Sequence, residues 1–118
     1  MEIVAWLNSS CSKCGGLKAL LEERGLQAEL RYYVDQPPTV DEIEALLVAL
    51  GETDPTVLMR QKDPLWSKMS LAEASREEKI RAILEHPEEL FNRPVLVVNG
   101  KAVVARPVDL ALPLLEKL

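Results

Sequence analysis

The feature that most restricts this chain lies in its first two dozen residues: a short apolar segment, three cap-forming residues, then two cysteines three apart at the start of a helical pattern. Glu2 to Leu7 reads as a short, largely buried strand. Asn8, Ser9 and Ser10 are residue types that favour turns and helix caps. From Ser12 to Arg24 the apolar residues fall at helical spacing, with Leu17, Leu20 and Leu21 on one face and Gly25 as the stop. Cys11 thus stands where unpaired backbone N–H groups converge and the helix dipole is positive, and both favour a thiolate. Lys13 adds positive charge beside it. Residues three apart on a helix are neighbours, so Cys11 and Cys14 are within reach of a disulfide. Two other uses of such a pair weigh less. Inert buried thiols sit poorly with a strand-to-helix junction, and a structural zinc needs four ligands where only His86 joins the cysteines as a soft donor. No metal is expected.

The remainder of the chain supplies a framework for that junction. Glu29 to Val34 alternates, carries Tyr32 and Tyr33, and reads as a second strand. Gln36-Pro37-Pro38 breaks the chain, and Thr39 with Glu42 three residues on forms a capping box. The helix behind it turns Ile43, Leu46, Leu47 and Leu50 inward and ends at Gly51. Thr53 to Met59 reads as a short helical turn, and a loop containing Asp63-Pro64 follows. Ser75 caps a helix running to about Glu85, which His86-Pro87 ends. Arg93 to Val98 is β-rich, Asn99-Gly100 is a strong hairpin signal, and Lys101 to Ala105 returns as the partner strand. Val108 to Leu118 reads as one closing helix. The order predicts an α/β fold, a mixed sheet with flanking helices, as a single domain over residues 1–118. With 118 residues and 47% hydrophobic content the chain can bury a core without disulfides.

Charge and patterning exclude several classes of function. A formal net charge of −5 repels a phosphate backbone, so direct nucleic-acid binding is not expected, although docking on a protein or holding a local basic pocket is compatible with it. The longest apolar runs, such as Pro94 to Val98, are too short to span a bilayer, and Met1 to Trp6 lacks the layout of a secretory signal. A cytoplasmic protein is expected, and there a close cysteine pair is redox-active more often than structural. His86 before a proline suits a helix cap, and Glu77, Glu78, Glu88 and Glu89 suit solvated faces. No glycine-rich nucleotide loop is present.

Three separated arginines complete the candidate chemistry: Arg60, Arg93 and Arg106, the last two directly before prolines and so at element edges. Guanidinium groups match tetrahedral oxyanions through planar, bidentate donation. Spacing alone does not bring the three together. The chain does, however, resemble the arsenate-reductase family, which includes glutaredoxin-coupled reductases and the Spx regulators. The resemblance rests on Asn8-Ser9-Ser10-Cys11, Pro37-Pro38-Thr39, Leu58-Met59-Arg60, Leu84 to Pro87, Asn92-Arg93-Pro94-Val95 and Ala105-Arg106-Pro107. It implies a thioredoxin-like core with a helical insertion at about residues 39–88. It also implies Cys11 as nucleophile, Arg60, Arg93 and Arg106 as oxyanion ligands with Asn8 beside them, and a cis Arg93-Pro94 bond. Two positions depart from the family pattern: Leu7 stands where many reductases have histidine, and Gly15 where many have a basic residue.

The chemistry this implies is reduction of arsenate or a similar oxyanion through a covalent adduct on Cys11. Cys14 or glutathione would resolve the adduct, and thioredoxin or glutaredoxin would act as reductant with no bound cofactor. The pair Cys11/Cys14 also resembles the Spx side of the family. A redox-switch regulator that binds RNA polymerase, and a general thiol-disulfide oxidoreductase, are the alternatives. A polymerase pull-down under reducing and oxidising conditions separates the first of these.

Overall fold

The computed structural model describes residues 2–118. Four strands form one sheet: β1 (Ile3–Leu7), β2 (Glu29–Tyr32), β3 (Val95–Val98) and β4 (Lys101–Val104). Their order is β2-β1-β3-β4, with β1 and β2 parallel and both other pairs antiparallel. The parallel pair needs a crossover, and α1 (Ser12–Glu23) provides it. The antiparallel pair β3–β4 needs only a two-residue turn. Asn99 and Gly100 take φ values of 49° and 84° there, as a hairpin of this kind requires.

Side chains alternate across a strand, and here the alternation separates two cores. Ile3, Ala5 and Leu7 of β1 join Leu17 and Leu21 of α1, Leu96 and Val98 of β3, and Leu115 near the C-terminus. Trp6 points the other way and joins Tyr33, Phe91 and Val95. That second core is closed by α2 (Val40–Leu50), through Ile43 and Leu47, and by α4 (Arg76–Glu85), through Ile80 and Ile83. The chain between β2 and β3 is thus mainly helical and covers one sheet face, while α1 covers the other.

The Thr39–Glu42 capping box forms as the spacing predicts, and the expected Ser75 cap proves to be a second box. Thr39 accepts from the Glu42 N–H at 3.2 Å while the Glu42 carboxylate accepts from the Thr39 N–H at 3.0 Å. Ser75 and Glu78 repeat the arrangement at 3.2 and 3.3 Å. Each such cap is worth about 1 kcal/mol. Gly51 closes α2 at φ 73°.

Four local expectations change. The second strand ends at Tyr32 because the Asp35 and Gln36 N–H groups turn back to the Tyr32 carbonyl, so Tyr33 and Val34 lie in a turn. Asp63-Pro64 is a helix start, not a loop: the Asp63 carboxylate caps the Leu65 N–H at 2.9 Å, and Pro64 opens α3 (Pro64–Lys68). Pro87 ends α4 and in the same stroke begins α5 (Pro87–Leu90). The closing helix is broken into a 3₁₀ turn over Val108–Ala111 and α6 (Leu112–Glu116), since Pro113 has no N–H with which to continue a single helix. The Arg93-Pro94 bond is cis, and so is Arg106-Pro107.

Candidate active site

The thiol pair is built on a loop organised by Asn8. This residue is 3% exposed, and its side-chain oxygen accepts from the Ser10 N–H at 2.9 Å and the Ser10 hydroxyl at 2.8 Å. Its carbonyl accepts from the Cys11 N–H at 3.1 Å, and its own N–H donates to Cys14 Sγ at 3.3 Å. Asn8 Nδ2 donates to the Tyr33 hydroxyl at 3.2 Å. The carboxamide is occupied at both ends by protein groups. Asn8, expected beside the oxyanion ligands, here organises the loop that carries the thiols.

Cys11 is the N-cap residue of α1, in extended backbone conformation at φ −100° and ψ 122°. It is half-buried, Cys14 is buried, and both are free thiols. Burial alone would push the Cys11 thiol up. The Cys14 N–H and thiol, the Lys13 N–H and the Arg93 guanidinium all favour the thiolate, outweigh burial, and bring the group down from 9.0 to about 7. Cys14 moves the opposite way, to about 12. Burial dominates there, the neighbouring Cys11 adds to it, and the Asn8 N–H and Arg93 offset only part. One thiol is therefore ready to attack at neutral pH and the other is held as a thiol.

This separation predicts two distinct titrations. The rate of Cys11 alkylation by iodoacetamide should rise with pH through a midpoint near 7 and, one unit below it, be about tenfold below its high-pH plateau, while Cys14 stays unlabelled across the same range. Mass spectrometry of the labelled peptides checks both. A midpoint near 9 at Cys11 would remove the activated nucleophile.

Two of the three arginines come together in one cavity. Arg60 and Arg106 line an open space of about 500 Å³ with Gln61, Lys62 and Asn92, so three cationic side chains and two carboxamides face it. Arg60 is fixed there because its N–H donates to the Leu90 carbonyl at 2.8 Å and Met59 bridges to Phe91. Arg106 Nη1 donates to the Arg93 carbonyl at 3.0 Å, which ties the two arginine-proline segments together. Arg93 is placed at the thiols. Its Nη1 is held by the Glu88 carbonyl at 2.6 Å and the Phe91 carbonyl at 3.4 Å, and its guanidinium stands beside Cys11. Its Nε is buried and has no hydrogen-bond partner among the described residues. A second, smaller opening of about 230 Å³ is lined by Cys11, with the buried Cys14 behind it, and by Ser9, Gly15, Lys18 and Tyr32.

Tyr33 is the site residue that the sequence reading missed, having been placed only as a strand residue. It is fully buried, its ring lies 4.7 Å from that of Phe91, and its hydroxyl faces Asn8. The usable signal is that a tyrosine in a core needs a partner for its hydroxyl. His86, expected as a cap, contributes only its backbone; its ring faces Glu89 at 3.6 Å.

A thiol pair at a strand-to-helix junction, on a four-stranded mixed sheet with helices on both faces, defines a thioredoxin-like thiol protein. Sequence comparison agrees with the geometry. Residues 6–111 match the ArsC family. The chain is 38% identical over 110 residues to the arsenate reductase of Neisseria meningitidis, covering 92% of this chain and 93% of that one. It is 32% identical over 117 residues to the arsenate reductase of Haemophilus influenzae, covering 98% and 100%. The solved structure of the arsenate reductase from Vibrio cholerae superposes with a TM-score of 0.90 at 33% identity, over 97% of this chain and 98% of that one. The chain belongs to the ArsC family.

Proposed function

We propose that this protein reduces arsenate, or an oxyanion of the same shape and charge, through a covalent adduct on Cys11. The observation that carries the reading is Arg93. It places a guanidinium with an unpartnered, buried Nε beside the activated thiol, and it is tied through its carbonyl to the cationic cavity of Arg60 and Arg106. Guanidinium donors neutralise the oxyanion and hold it for attack. The Cys11 thiolate attacks arsenic(V), an S–As bond forms, and an oxygen leaves as water. Arsenic is still pentavalent in that adduct. A second thiolate then attacks Cys11 Sγ; the S–As pair returns to arsenic, which leaves as arsenite, and the two sulfurs become a disulfide. Cys14 is the internal candidate for that attack. Glutathione can also reach the sulfur through the opening beside Gly15 and Lys18. A thioredoxin or glutaredoxin dithiol then restores the enzyme, in keeping with a cytoplasmic setting.

Arsenate-dependent NADPH consumption, coupled in parallel through thioredoxin and through glutaredoxin with glutathione, tests the reading. Turnover in either arm is the expected result. No consumption in either, with Cys11 still alkylated at neutral pH, would leave only general thiol-disulfide exchange. Arg60→Lys and Arg106→Lys keep charge but lose the bidentate fork, so each should raise the arsenate KM by roughly tenfold or more with the fold intact. Steady-state kinetics with a thermal melt reads this out, and an unchanged KM in both would mean that the cavity does not hold the substrate.

A further inference from the structure

We propose that Tyr33 is a positioning residue for the thiol pair: its hydroxyl orients the Asn8 carboxamide and, through it, the loop that holds Cys11 and Cys14. The proposal rests on the reading of Cys11 as the nucleophile, and it does not depend on which oxyanion is reduced.

Two backbone bonds set the thiols, and both come from Asn8: its N–H to Cys14 Sγ at 3.3 Å and its carbonyl to the Cys11 N–H at 3.1 Å. The backbone of Asn8 is in turn held by its side chain, whose oxygen gathers the Ser10 N–H and hydroxyl. A carboxamide has a donating and an accepting end and works here in only one orientation. Reversed, it would point an NH₂ group at the Ser10 N–H. The Ser10 N–H fixes that orientation, and the Tyr33 hydroxyl, accepting from Nδ2 at 3.2 Å, holds the carboxamide in it from the buried side, where no solvent competes.

Tyr33 is itself held firmly. Its ring packs 4.7 Å from Phe91, and its N–H donates to the Leu7 carbonyl at 3.3 Å, extending the β1–β2 pairing. Phe91 also anchors the other side of the site, because its carbonyl accepts from Arg93 Nη1 at 3.4 Å. Burial pushes the Tyr33 phenol up and keeps it protonated, while the Asn8 carboxamide and the nearby Arg93 guanidinium offset part of that. The phenol therefore stands between the loop that carries the thiols and the guanidinium that faces them.

Tyr33→Phe keeps the ring and removes only the oxygen. Iodoacetamide alkylation of Cys11 is followed against pH in wild type and variant, alongside a thermal melt and arsenate kinetics. The expected result is an upward displacement of the Cys11 midpoint by about one pH unit, which is a roughly tenfold loss of thiolate at pH 6 and a comparable fall in kcat/KM. A lower melting temperature with an unmoved midpoint would show that the hydroxyl serves only the core, and would overturn the proposal. Asn8→Ala is the second variant, since the path runs through that side chain; it should displace the midpoint in the same direction. The double variant should displace it no further than the larger single change, as one chain of contacts requires. Additive displacements, or none for Asn8→Ala, also overturn the proposal. The readouts separate the two readings. A wild-type midpoint near 7 without arsenate turnover rejects the substrate and leaves Tyr33 testable; turnover with an unmoved midpoint in Tyr33→Phe rejects Tyr33 alone.

Discussion

Cys11→Ser is expected to abolish arsenate-dependent turnover, a loss of at least about a thousandfold, while oxyanion binding survives. A serine hydroxyl is not ionised at neutral pH, so the atom that attacks arsenic is gone, and no later step has a sulfur to act on. The arginines do not change. Arg93 is held by carbonyls of Glu88 and Phe91, and Arg106 by the carbonyl of Arg93, none of which involves the thiol. Cys14 is no substitute. It is 3% exposed and burial pushes its thiol up to about 12, so at neutral pH it is held as the thiol. The coupled assay measures the lost turnover, and calorimetric titration with arsenate, or with phosphate as a tetrahedral mimic, measures the retained binding. More than about one per cent residual turnover would assign the first covalent step to another group.

The parts of this fold that the sequence displays are those whose cause is local. The strand before Asn8, the helix after Cys11, both capping boxes and the Asn99-Gly100 hairpin each rest on residues within a few positions of one another. The same holds for the activated thiol, since most of its stabilisation comes from Lys13 and Cys14 within the first turn of α1. What was not displayed depends on distance. Arg60 and Arg106 share a cavity only because β4 returns beside β3 and Met59 bridges to Phe91. Family resemblance pointed to them; spacing did not. Asn8 is legible as part of the motif, but its bond to Tyr33 is not, because that partner lies 25 residues away in a turn. The prolines at positions 64 and 87 were read as breaks alone, although a proline can equally occupy the first turn of a helix, where its missing N–H costs nothing.

Cys14→Ser is expected to stop thioredoxin-coupled turnover while leaving the first covalent step on Cys11 intact. The structure sets a difficulty that this variant resolves. In the resting enzyme the Cys14 thiol is held near 12, with burial as the main cause, and a thiol in that state attacks slowly. One of the lesser causes is Cys11 itself. Once Cys11 Sγ is bonded to arsenic the sulfur no longer carries the thiolate charge that opposes ionisation of Cys14; the charge then lies on the arsenate oxygens, which the arginines offset, and the Asn8 N–H, 3.3 Å from Cys14 Sγ, remains to support the new thiolate. Adduct formation therefore lowers the barrier to the second attack by the act of consuming the first nucleophile. Burial persists, so glutathione entering beside Gly15 and Lys18 competes and should partly rescue the variant. Thiol counting and mass spectrometry on wild type after one arsenate turnover should show an intramolecular Cys11–Cys14 disulfide in the absence of glutathione. In Cys14→Ser the same experiment should leave Cys11 as the arsenic adduct. Unchanged thioredoxin-coupled turnover in the variant, or two free thiols in oxidised wild type, would make Cys14 a packing residue and leave glutathione as the only group that completes the cycle.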